Sequence, residues 1–124
     1  VGYRSEVVLV VGKEVMPQFM VTMAKSSQAR AACWDEAERV MNYGDEEGVV
    51  LFRWDCVKWY DSFEEVRAIE DFMDWCESED IDVDGTEAHA GEYFRFVRIG
   101  EEVDDIEVRG YGFWDVGVER RVSY

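Results

Sequence analysis

The sequence predicts an α+β fold, a ferredoxin-like βαββαβ sandwich with one extra C-terminal strand and two helices on one face of an antiparallel sheet. Three observations lead there. A valine-rich run opens the chain, two later stretches repeat apolar residues at helical spacing, and strand-like runs stand between and after them. In order the elements read strand, helix, strand, strand, helix, strand, strand.

Residues 5–11 carry Val7, Val8, Val10 and Val11, broken only by Leu9 and ended by Gly12, which suits a central strand buried on both faces. Val15, Met16, Phe19, Met20 and Met23 then recur at helical spacing with Pro17 near the start, predicting a helix over residues 13–32. Two β-compatible runs between residues 37 and 54 flank a polar loop bounded by Gly44 and Gly48, the pattern of a hairpin. Helix continued through Arg39 is the alternative. The second helix is predicted over residues 62–77. Ser62 and Glu65 form a capping-box pattern, and Phe63, Val66, Ile69, Phe72, Met73 and Cys76 form its apolar stripe. Strands follow at residues 92–99 and 115–124, with a shorter one at 106–109 and an acidic turn at 100–105.

A length of 124 residues leaves room for one core, so residues 1–124 are read as one α+β domain. At 15% aromatic the chain is too rich in large side chains for disorder, despite being 34% charged. Cys33, Cys56 and Cys76 are odd in number and widely spaced, and are read as reduced core thiols of a cytoplasmic protein. The longest apolar run is the five residues 7–11, far short of the roughly 20 that a membrane span needs, so no membrane is expected as a partner.

The formal net charge is −16, with residues 1–30 at +2 and the remainder at −18. Such a field repels phosphate, which excludes direct nucleic-acid binding and favours a basic protein partner. The acid is concentrated in two stretches without Lys or Arg. Glu70, Asp71, Asp74, Glu77, Glu79, Asp80, Asp82 and Asp84 form the first; Glu101, Glu102, Asp104, Asp105 and Glu107 form the second. These thirteen carboxylates are the predicted partner-binding residues, with a merely solvated face as the plainer reading.

No residue is assigned a catalytic role, and no metal or other cofactor is expected. Asp80, Asp82, Asp84 and Gly85 reproduce the first half of a calcium loop, but Gly91 stands where the closing bidentate Glu belongs. His89 is the only histidine and reads as a partly exposed loop residue. Phosphate-binding Gly-rich loops, G-x-S-x-G and H-E-x-x-H are all missing. Trp54, Trp59 and Tyr60 make an aromatic junction ahead of the second helix, read first as core packing and second as a partner anchor.

Three segments, GYRSEV at 2–7, LFRWDCVKWYDSFEEVRAIEDFM at 51–73 and YFRFVRIGEEVDDIE at 93–107, together resemble a family of small bacteriophage and prophage proteins. That family has an N-terminal GYRS-type segment and a C-terminal RIGE-type acidic turn. The resemblance implies a phage-encoded accessory protein made in the host cytoplasm. By analogy with such proteins, the expected function is non-enzymatic inhibition of a host nucleic-acid-handling or defence complex, of CRISPR or restriction type. Its acidic surfaces would mimic DNA and occupy the complex's DNA-binding surface. A virion or assembly component is one alternative. The other is a protein that sequesters a small nucleotide signal, through Arg95, Arg98, Arg109, Arg120 and Arg121 if the last strands pair.

Overall fold

The central strand β1, Ser5–Val11, hydrogen-bonds antiparallel neighbours on both sides, which explains why its valines are almost all hidden. The computed structural model describes residues 2–112. Within them β1 is followed by helices α1 (Met16–Ala24) and α2 (Ser27–Ala31), a π turn, β2 (Glu38–Met41) and β3 (Val50–Val57). Helix α3 (Glu64–Ser78), the hairpin β4 (Asp80–Val83) and β5 (Thr86–His89), then β6 (Phe94–Ile99) and β7 (Ile106–Arg109) complete the order. The main sheet runs β2-β3-β1-β6-β7 and all its pairings are antiparallel; β4 and β5 form a separate two-stranded sheet.

Register follows from which side chains must be dry. Leu9 stands opposite Phe52 on one side and Phe96 on the other, and Val11 stands between Val50 and Phe94. This face packs against Phe19 and Met23 of α1, Ala29 of α2, and Ile69, Phe72 and Met73 of α3. Each large apolar side chain buried there contributes roughly 1.5–3 kcal/mol. On the opposite face Val10, Val49 and Leu51 make a smaller cluster with Val8 and Tyr43. Among the described residues no helix is long and apolar enough to cross a membrane.

Several expectations are corrected. The helix expected over 13–32 is two helices, because Ser26 adopts an extended backbone (φ −140°, ψ 120°) and its hydroxyl accepts from the Ala29 N–H to start α2. Arg30 then turns back to donate to the carbonyls of Met23 and Ala24, satisfying the end of α1. The hairpin reading of 37–54 holds over helix continued through Arg39, since β2 pairs with β3 from Glu38 to Met41.

Ser62 does not cap α3. Phe63 holds the N-cap position without a side-chain bond, behind a turn closed by the Phe63 N–H and the Tyr60 carbonyl, and Glu64 and Glu65 supply negative charge to the first turn. Phe63 itself leaves the core and packs on Tyr60, with ring centroids 5.1 Å apart. The acidic run at Asp80, Asp82 and Asp84 is a hairpin rather than a loop. Asp84 and Gly85 both take positive φ (52° and 83°), as a two-residue hairpin turn requires. The strand expected at 92–99 starts at Phe94 after a short 3-10 turn, the short strand at 106–109 is β7, and the strand expected at 115–124 lies outside the described residues.

Candidate functional site

Tyr3, just ahead of β1, reaches the turn between β6 and β7. Its hydroxyl donates to Asp105 Oδ2 at 2.6 Å and accepts from the Glu102 N–H at 3.2 Å. Arg98 on β6 donates to both Asp105 oxygens at 3.1 and 2.8 Å, to Glu107 Oε1 at 3.3 Å and to Ser5 Oγ at 3.4 Å. The Asp105 bond raises the Tyr3 pKa, and the bonds to Asp105 and then Glu107 raise that of Arg98 against the opposing effect of burial. Arg4 adds two further ties: its N–H donates to Glu101 and its guanidinium to the Cys56 carbonyl. The GYRS and RIGE segments, about a hundred residues apart in sequence, thus form one polar junction.

The β3–α3 connection lies beside this junction. Tyr3, Trp59, Tyr60, Asp61, Glu70, Arg98, Asp105 and Glu107 line a cleft of about 490 Å³. Asp61 and Glu70 also border a groove of about 870 Å³ that runs along α3 to Lys25 and Ser26. Burial first, then the charge of Asp61 and a hydrogen bond to it, push the Glu70 carboxyl above its ordinary value; Glu107 adds to this and Arg109 opposes it. The aromatic junction is divided. Trp54 is buried, with its indole N–H donating to the Ala32 carbonyl at 2.9 Å, whereas Trp59 and Tyr60 are half-buried at the cleft.

The two acidic stretches meet along α3 and β7. Arg109 on β7 pairs with Asp74 at 2.7 Å and with Glu77, both on α3, while Glu107 two residues earlier acts on Glu70. Burial disfavours the Arg109 charge, but Glu77 and Asp74 together hold its pKa well above the ordinary value. Asp105 and Glu107 hold Arg98, Glu101 accepts from Arg4, and the Glu102 N–H serves Tyr3. Asp71 is exposed on the α3 groove, Asp104 is exposed in the β6–β7 turn, and Glu79, Asp80, Asp82 and Asp84 are exposed at and within the β4–β5 hairpin. Charge that looks unopposed along the chain is therefore partly neutralised in space by Arg98 and Arg109.

Tyr3 and Asp61 complete the site and were not singled out in the sequence, whereas Trp59 and Tyr60 were read second as a partner anchor and Arg98 and Arg109 as residues of the nucleotide-sequestering alternative. The signal for Tyr3 and Asp61 lay in the segments that carry the phage resemblance, each of the three sending at least one side chain into the cleft. Cys33 and Cys76 are buried thiols pushed up to about 12 by that burial, but Cys56 is exposed, not a core thiol. It sits at φ 54° in a bulge where β3 spends one residue more than β1 between paired positions. His89 ends β5, half-buried, its Nδ1 accepting from the Gly91 N–H at 2.9 Å. Among the described residues no group of three or more His, Cys, Asp or Glu is placed to hold a metal ion. Arg95 faces away from Arg98 and Arg109, standing opposite Val10 on the other face of the sheet, while Arg120 and Arg121 lie outside the described residues. No protein-family model matches the chain, and neither does any curated protein or solved structure.

Proposed function

We propose that the protein is a non-enzymatic binding protein that engages a basic protein surface through its acidic α3–β7 side. In this reading it is a phage-encoded accessory protein that works in the host cytoplasm and occupies the DNA-binding surface of a nucleic-acid-handling or defence complex. The observation that carries the reading is the convergence of the two acidic stretches along α3 and β7, with exposed carboxylates continuing into the β4–β5 hairpin and the β6–β7 turn. Carboxylates kept for solubility alone are better spread among basic residues, because self-repulsion weakens the fold. Beyond the pairs that Asp74 and Glu77 make with Arg109, the exposed carboxylates of Asp71, Glu79, Asp80, Asp82 and Asp84 take part in no ion pair among the described residues, and unopposed charge of this kind is what a phosphate-binding surface meets on nucleic acid. Sequestration of a nucleotide signal is less well supported, since Arg95 lies on the other sheet face from Arg98 and Arg109 and those two already hold carboxylates.

The fold is proposed to be ferredoxin-like. The order β2-β3-β1-β6 with α1 after β1 and α3 after β3 supports that reading, with β7 as an added edge strand and β4–β5 as an insertion before β6.

The functional test is capture from bacterial lysate on immobilised protein. Captured proteins are expected to bind DNA, to be released by duplex DNA, and to be lost between about 0.1 and 1 M salt, where the Debye length falls from about 10 to 3 Å. Substituting Lys at Asp80, Asp82 and Asp84, or at Glu101 and Asp104, should abolish capture. DNA and captured protein held together without competition, or undiminished capture by the reversed variants, would overturn the reading.

A further inference from the structure

Helix α1 has no charged residue in a chain that is 34% charged. Phe19 and Met23 face the core, and its only polar side chains, Gln18 and Thr22, border the groove shared with α3. Pro17, Met20, Val21 and Ala24 recur at helical spacing on the remaining side and are all exposed, Met20 to 47% and Val21 to 51%. A helix that is apolar all round belongs in an interior, yet α1 leaves this stripe in water.

The shape of the stripe indicates what covers it. In either direction it runs small, large, large, small, with Pro17 and Ala24 at its ends and Met20 and Val21 at its centre. A two-fold axis through its midpoint sets Met20 against the second copy's Val21 and Pro17 against the second copy's Ala24, as a contact between identical surfaces requires. Charge is complementary in the same arrangement. Glu14 precedes the helix and Lys25 follows it, and neither takes part in an ion pair among the described residues. Their separation is about three turns of about 3.6 residues, which puts both on one flank of the stripe at opposite ends. Antiparallel packing then brings Glu14 of each copy to Lys25 of the other. The net charge of −16 opposes any self-association, but residues 1–30 carry +2, so α1 lies in the part of the chain where two copies repel least.

We propose that two copies of the chain associate by packing α1 antiparallel against α1 about this two-fold axis. The contact is independent of any basic partner. Gln18 and Thr22 separate the stripe from α3, so the acidic α3–β7 side of each copy stays uncovered and the dimer presents that side twice. A basic surface long enough to meet both sides is then held by avidity, without any new contact.

The test is sedimentation equilibrium of the full chain at about 0.15 M salt, where the Debye length is about 8 Å and the overall repulsion is screened. Four side chains from each copy make a contact at the small end of specific interfaces, so the mass should climb toward twice that of the monomer between about 1 µM and 1 mM. Met20→Glu puts a charge at the centre of the stripe and should hold the chain monomeric throughout that range. Glu14→Lys or Lys25→Glu alone should weaken the dimer about fivefold or more, because two symmetry-related pairs are lost, and the two together should restore it. Unfolding midpoints measured at dilutions where the parent is monomeric should match the parent, since none of the substituted side chains is buried. A monomer mass up to about 1 mM would overturn the proposal and leave the stripe to a different protein. Dimerisation undiminished by Met20→Glu would place the contact elsewhere, and a lowered midpoint of that variant would place the stripe inside the monomer; either result sinks the proposal. A double exchange that fails to restore the dimer would rule out the antiparallel arrangement.

Discussion

Two glycines flank β7 and the turn before it, and each is required for a different reason. Gly110 has φ 89°, and a Cβ there would run into the Phe94 backbone carbonyl, which cannot step aside. Gly110→Ala should therefore lower stability by more than about 1 kcal/mol, read from the urea midpoint. At Gly100 the colliding atoms are the ends of Asp105 and Tyr3. Gly100→Ala should be milder, about 1 kcal/mol, as the Tyr3–Asp105 hydrogen bond is displaced. Glu70 gives a prediction of the opposite sign. Its carboxyl is raised in the folded state, so between the ordinary glutamate value and the raised one the folded protein binds more protons than the unfolded chain. Stability falls as pH rises through that window, and the penalty is complete above the folded value. Glu70→Gln should raise the melting temperature at pH 7, and the gain should vanish once the pH drops below the ordinary glutamate range. A gain independent of pH would show that burial of the Glu70 charge is not its source.

At the scale of elements, α3 is the helix on which the core depends most directly. Phe72 is fully buried and sits edge-on to Phe19 of α1 at 5.0 Å and to Phe94 of β6 at 6.1 Å, so it joins α1 and α3 to the sheet. Truncation to Ala removes the ring and leaves a cavity, and should cost about 3–5 kcal/mol by chemical denaturation. An unchanged midpoint would mean that the α3 face is misassigned. This face was legible in the sequence, as was β1, because an apolar stripe at three- and four-residue spacing and a valine run each have one economical packing solution. The break between α1 and α2 was legible only in part. Ser26 is a good N-cap, but helix-forming neighbours on both sides masked it. The β4–β5 hairpin was not read from the sequence: Asp84-Gly85 is a turn signal, but the alternating carboxylates of Asp80 and Asp82 also fit half of a calcium loop, and a local pattern cannot choose between them. The cleft was not readable at all as geometry, since Tyr3 meets Asp105 only through the pairing of β1 with β6.

For the whole molecule, a net charge of −16 opposes compaction, whereas Arg98 and Arg109 relieve it locally. Added salt acts on these unequally. The arginine side chains are only 16–18% exposed and are poorly reached by counterions, while the carboxylates of the hairpin and the β6–β7 turn are fully within their reach. Screening of repulsion should win. The melting temperature at pH 7 should rise as sodium chloride goes from about 0.01 to 0.15 M, a change that shortens the Debye length from about 30 to 8 Å. A fall over that range would mean that the ion pairs outweigh the repulsion.

The contact between Tyr3 and Asp105 also fixes a timetable. These residues are 102 positions apart, and at about 5–20 residues per second a ribosome needs on the order of 5–20 s to supply the second after the first. During that interval β1 can pair with β3, but its other edge has no strand to receive until β6 emerges. The nascent chain therefore spends seconds with a valine-rich sheet edge open, and fragments ending before β6 should aggregate while the chain that includes it stays dispersed.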